Sequence, residues 1–129
     1  MCEEVKALAD KYFTEKIVPG LAERYNEFYG VKEDMYGVER TEIDHLRNAL
    51  ALHIKERGIH GHLQFRRLVM LFWNCEKKEE KLLGVLLAKS FRKLINLEHI
   101  SIFERLMREC TCWDQASIIA RGLMGEIMK

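Results

Sequence analysis

At 129 residues, with 32% charged and 48% hydrophobic side chains, the chain suits one domain whose core removes roughly two thirds of the unfolded surface from water. Its net charge is only +1, and no apolar run approaches the ~18 residues of a membrane span, so a strongly basic tail protein and a membrane helix are both excluded. Four cysteines without scaffold spacing and a single proline exclude a disulfide-stapled fold and favour a helical protein of the reducing cytoplasm.

The first residues, Met-Cys-Glu-Glu-Val-Lys, carry no secretory signal pattern. A first helix is predicted from Glu3 to Ile17, with Val5, Leu8, Ala9, Tyr12 and Phe13 as its stripe and Pro19-Gly20 as its end. A short helix over Leu21–Tyr29 stops at Gly30. Val31–Val38 reads as a loop. Thr41 and Asp44, at capping-box spacing, open a helix to Arg57, with Ile43, Leu46, Leu50 and Ile54 inward. Gly58 to Gly61 breaks the chain. Leu63–Trp73 comes next, burying Phe65, Leu68, Val69 and Phe72. After a turn at Asn74-Cys75-Glu76, the strongest pattern runs from Lys77 to Leu94, through Leu83, Leu87, Phe91 and Leu94. Glu98–Arg108 buries Ile102, Phe103 and Leu106. A last helix covers Cys110 to Lys129, with Thr111 and Asp114 as its start and Trp113, Ala116, Ala120, Leu123 and Ile127 as one apolar face.

About seven helices, short connections and no strand signal make the chain all-α, one domain over residues 1–129. Helix pairs of roughly forty residues in succession suggest a HEAT-like or ARM-type helical-repeat solenoid. A compact bundle of the same helices is the alternative.

The charge is uneven. Residues 1–60 carry nine Lys/Arg against twelve Asp/Glu, and residues 61–129 carry twelve against eight. Basic side chains cluster at Arg66-Arg67, Lys77-Lys78-Lys81, Lys89-Arg92-Lys93 and Arg105-Arg108. Such clusters either meet phosphates or form solvated helix faces.

Three stretches resemble one family. The run HISIFERLMRECTCWDQASIIARGLMGEIM resembles the central motif of the AlkD-type DNA alkylation repair proteins, alkylpurine DNA glycosylases built from HEAT-like repeats. In that motif, roughly K-S-W-W-D-T-V-D, Trp113 and Asp114 match the second Trp and the first Asp, and Gly125 matches a later glycine. MYGVERTEIDHLRN and LFWNCEKKEEKLLGVLL are similar to two upstream stretches of the same family. The resemblance spans about Tyr25 to Met128 and implies duplex DNA as partner and no cofactor. It departs at the chemistry. The family's catalytic carboxylate falls on Ser117, and the first Trp on Cys112. A further arginine and aromatic come from a later part of family members, so the resemblance covers an N-terminal half.

The resemblance puts the catalytic position on Ser117; Asp114, about sixty degrees around the helix from it, is the candidate carboxylate to stand in, or else simply favours the positive start of the helix dipole. Trp113, Arg121, Lys77, Lys78 and Lys81 become candidate DNA-binding residues, with Trp113 either facing DNA or packing in the core. Glu79 and Glu80 match a glutamate that ties helices together. Cys110 and Cys112 with His60 and His62 have the donor types of a zinc site but not the spacing of one, so no metal is expected. The expected function is a DNA-binding, truncated or degenerate alkylpurine glycosylase that releases bases poorly or not at all. The alternative is a non-catalytic helical-repeat interaction module. Surplus apolar residues on the last helix (Ile118, Ile119, Leu123, Met124, Ile127, Met128) suggest a homodimer or a second chain.

Overall fold

The computed structural model describes residues 2–58 and 61–128. Their regular structure is all helix, with no strand among them. The elements are α1 (Cys2–Glu15), α2 (Leu21–Tyr29), α3 (Arg40–Arg57), α4 (Gly61–Trp73), α5 (Lys78–Ser90) and α6 (Ile100–Arg108). A last, composite helix begins as α7 (Trp113–Ser117), continues as a π-helical segment (Ile118–Met124) and ends as α8 (Gly125–Ile127). None of the described helices is long and apolar enough to cross a membrane.

α1 packs on α3 and α4, α4 on α5, α3 on α5, and α5 on both α7 and the π-helical segment. The result is a succession of helical pairs, α1 with α3, α4 with α5, and α6 with the last helix. α5 lies against both α3 and α7 and is buried over most of its length. The core matches the predicted stripes closely in the middle of the chain. Ile43, Leu46, Leu50 and Ile54 of α3 and Phe65, Leu68, Val69 and Phe72 of α4 are all buried. α4 and α5 come closest at Gly84. A Cβ built there would lie 2.9 Å from Cβ of Phe72 and 3.3 Å from the Val69 carbonyl, a separation that only glycine allows.

Several ends differ from the sequence reading. α3 starts at Arg40 after Glu39, with no side-chain cap, so Thr41 lies inside the helix. α5 stops at Ser90, and Arg92–Leu94 is a separate 3-10 turn. The buried line of α1 is Val5, Ala9 and Phe13, while Leu8 is exposed. The last helix starts at Trp113 after Cys112, again without a side-chain cap. Thr111 instead donates its backbone N–H to Oε1 of Gln115. The face turned inward is Gln115, Ile119 and Leu123, not Trp113, Ala116 and Ala120. Of the six apolar residues that suggested a partner, Ile119 and Leu123 are buried, Ile118, Met124 and Ile127 pack on the core, and Met128 is exposed.

Candidate functional site

The site is built around the start of α5, Lys77-Lys78-Glu79-Glu80. This tetrad holds the loop between α2 and α3. The Lys78 backbone N–H donates to the Asp34 carbonyl at 2.8 Å, and Lys77 Nζ meets Oδ1 of Asp34 at 2.6 Å. Buried Glu79 accepts three backbone N–H groups: Tyr36 at 2.9 Å, Gly37 at 2.8 Å and Val38 at 3.1 Å. Gly37 sits at φ +87°, and a side chain there would press on the Ala22 backbone nitrogen, so the loop needs glycine at this point. Glu80 takes the Tyr36 hydroxyl at 2.6 Å and pairs with Lys6 at 2.9 Å. Burial opposes the charge of Glu80, but hydrogen bonds from its neighbours, Tyr36 and Lys6 among them, outweigh it and hold its carboxyl below the usual range. On the far side of the loop, Asn26 brackets the Glu33 backbone with two hydrogen bonds.

This fixed loop sets α2 against the start of the last helix. Lys78 is almost wholly buried, with its ammonium 4.8 Å from the centre of the Tyr25 ring. Tyr29 lies on Tyr25 at 4.6 Å, and Phe28 meets Tyr29 edge-on at 4.9 Å. Burial raises the Tyr25 hydroxyl above its ordinary value, against the pull of Lys78 and with the help of Cys112 and Asp114. Two adjoining cavities open here. One, of about 280 Å³, is lined by Tyr25, Arg40, Lys78 and Asp114 with apolar residues of α2, α3 and α5. The other, of about 270 Å³, lies between Tyr25, Tyr29 and Trp113, with Glu33 and Asp114 as its charged residues. Asp114 borders both. Trp113 is 75% exposed, so of the two sequence alternatives for it, core packing is not what the fold uses.

The other predicted residues fall in different places. Ser117, one turn on, is half-buried and lines neither cavity. Arg121 is exposed. Lys77, Lys78 and Lys81 are engaged by the protein: Lys77 with Asp34, Lys78 with Tyr25, and Lys81 with the Trp73 carbonyl. Of the four residues with the donor types of a zinc site, His60 lies outside the described residues. His62 sits instead with Asn96 and His99. Among the described residues no three His, Cys, Asp or Glu side chains converge on a metal position. The Cys110 thiol is pushed up to about 11 by burial and by Cys112.

A second feature was only half legible. Arg47, Ala51 and Lys55 of α3 and Lys89, Ser90 and Arg92 of the α5 end line a furrow of about 460 Å³. It continues past Lys93 into a neighbouring one of about 520 Å³. Among the described residues this lining holds five cations and no carboxylate. Arg47 approaches Asp44 only to 3.9 Å. Lys55, Lys89, Arg92 and Lys93 take no ion pair among the described residues. The aromatic cavity and this furrow lie at opposite ends of one helix pair. Ile43 faces Lys78 and Leu82 at one end, and Lys55 faces Lys89 at the other. α3 and α5 therefore run parallel. The last helix runs the same way: Asp114 lies by Lys78, and a Cβ on Gly122 would lie 3.3 Å from Lys89 Cδ. Lys89, Arg92 and Lys93 stood out in the sequence as a basic cluster. Arg47 and Lys55 did not, although they share the helical spacing of Arg40, Ile43 and Ala51.

A family described as DNA alkylation repair enzyme matches residues 9–129 of the chain. No curated protein and no solved structure matches it.

Proposed function

The chain belongs to the DNA alkylation repair enzymes, and from that premise we propose that it binds duplex DNA along the α3–α5–α7 side, phosphates on the basic furrow and the damaged nucleotide at Trp113. The helical pairs are, in this reading, HEAT-type repeats that present their second helices to DNA. The observation that carries it is one layer with two chemically distinct ends. One end is cationic and, among the described residues, lined by no carboxylate. The other is aromatic and holds the exposed pair Trp113 and Asp114. Phosphate contacts supply affinity without sequence information, so the first end positions the duplex.

Base release at the second end requires a carboxylate. An alkylated purine leaves as a good leaving group, and positive charge grows on the deoxyribose. A fixed negative charge stabilises it, and its loss costs on the order of a hundredfold or more in rate. Ser117 offers a hydroxyl dipole, half-buried and away from both cavities. Asp114 is the carboxylate that borders them. The reading is therefore a DNA-binding protein with weak glycosylase chemistry through Asp114.

The experiment is base release from methylated DNA, with a no-protein control, for the wild type, Asp114→Asn and Ser117→Asp. Wild-type release just above background, lost in Asp114→Asn and raised in Ser117→Asp, supports the assignment. Release unaffected by Asp114→Asn removes Asp114 from the chemistry. Absence of duplex binding at tens of micromolar protein in low salt removes the DNA reading altogether.

A further inference from the structure

We infer that the furrow between α3 and the end of α5 is a docking surface for a short protein segment in which acidic and apolar side chains are interspersed. The inference does not depend on the DNA reading. That reading assigns the same cations to phosphates, so the segment and a duplex would compete for them.

The furrow is cationic, but not only cationic. Leu52 belongs to its lining and is 60% exposed. Phe91 and Leu94 line the adjoining hollow, each partly buried against the core. The cations are set among these apolar side chains. Leu52 falls between Arg47 and Lys55 on α3, and Phe91 and Leu94 bracket Arg92 and Lys93. A lone exposed leucine on a surface is ordinary, but one set in a depression next to further apolar side chains marks a place where a partner can leave water. Two demands on the occupant follow. It must be negative, because the lining holds no carboxylate among the described residues. It must also carry apolar groups a few ångströms from its charges. A nucleic-acid strand meets the first demand and fails the second, since its outer surface is phosphate and sugar. A phosphate seated beside Leu52 or Phe91 would lose water and gain no hydrogen bond. A peptide meets both, with carboxylates on the lysines and arginines and aliphatic side chains on Leu52, Phe91 and Leu94. The length is short. Arg47 and Lys55 stand eight positions apart on one helix, a rise of about 12 Å, which four or five extended residues cover at about 3.3 Å each. Lys55, Lys89, Arg92 and Lys93 form no ion pair among the described residues, so charge complementarity is available to an incoming carboxylate.

The test uses the full chain and two fluorescein-labelled peptides of equal charge, Glu-Leu-Glu-Glu-Leu-Glu and Glu-Ser-Glu-Glu-Ser-Glu, read by anisotropy at low salt, with a labelled duplex as a third arm. The leucine peptide should bind about tenfold tighter than the serine peptide, the scale of one leucine side chain leaving water, and should displace the duplex. Leu52→Ser, at an exposed position that the fold does not need, should narrow the advantage to about threefold or less. Lys89→Ala with Arg92→Ala should weaken both peptides. Equal affinity for the two peptides overturns the inference, because the furrow then reads charge alone. A leucine preference that survives Leu52→Ser unchanged overturns it as well, because the peptide then sits elsewhere. Binding of the duplex with neither peptide bound overturns it and leaves the DNA reading standing, whereas binding of the leucine peptide without the duplex supports it and removes the DNA reading.

Discussion

Single residues set the geometry of this site from beneath it. Glu79 is 2% exposed and satisfies three consecutive backbone N–H groups. Removing it would leave those donors buried and unpaired. Glu79→Ala should cost on the order of 3 kcal/mol of stability, read as a lower urea midpoint, and should loosen the loop that seats Tyr25. His99 is a second such residue. It is fully buried among Phe65, Phe103 and His62. Its Nδ1 accepts the Asn96 backbone N–H, so Nε2 carries the proton in the neutral ring. Burial, with His62 and Arg66 nearby, lowers its affinity for a second proton, against the pull of Glu98. The unfolded chain therefore binds a proton near pH 6.5 and the folded one only below that. Stability from this group is complete above about pH 6.5 and is lost as the pH falls through its folded value. Urea midpoints should drop between pH 7.5 and 5.5, and His99→Phe should flatten that slope, although its own midpoint at pH 7.5 will be lower.

At the scale of elements, the contact of α4 with α5 depends on Gly84. Gly84→Ala would push a methyl group into Phe72 and the α4 backbone. It should destabilise by about 1–3 kcal/mol, as overpacking does, while Gly122→Ala should cost far less because only the flexible Lys89 stem must yield. Thermal unfolding of the two variants side by side checks the order. The middle of the fold was legible from periodicity because α3 and α4 carry large aliphatic and aromatic side chains on one face only. The last helix was not. Ala116 and Ala120 suggested a buried line through Trp113, yet small side chains weigh little in that choice. The inward line instead starts at Gln115, a polar residue whose carbonyl is satisfied by Thr111. The π-helical segment then rotates the phase of the turns beyond it. The site was legible in part. The Trp113–Asp114 pair could be named from the motif, but not Tyr25, Phe28 and Tyr29, which belonged to a short helix with no face assigned. Only the folded chain shows that α2 buries no residue fully.

For the whole molecule, net charge says little, since +1 conceals a furrow of five cations. If duplex DNA lies in it, the logarithm of the binding constant should fall linearly with the logarithm of salt concentration, each phosphate contact adding about 0.9 to the slope. Lys89→Ala with Arg92→Ala should reduce that slope by about 2. Lys78→Ala should leave the slope alone and lower stability, because Lys78 is buried against Tyr25. Anisotropy titrations at several salt concentrations separate the two. The parallel course of α3 and α5 bears on how the furrow exists before DNA arrives. Aligned peptide dipoles leave a partial positive charge at each helix start and a partial negative charge at each end. Glu79 and Glu80 occupy the first turn of α5, and Lys55, Arg57 and Lys89 occupy the last turns of the two helices. The backbone itself thus acts as a partial counter-ion to two of the furrow's cations, Lys55 and Lys89. Among the described residues Lys55, Lys89, Arg92 and Lys93 form no ion pair, so an arriving phosphate has none to break at these four.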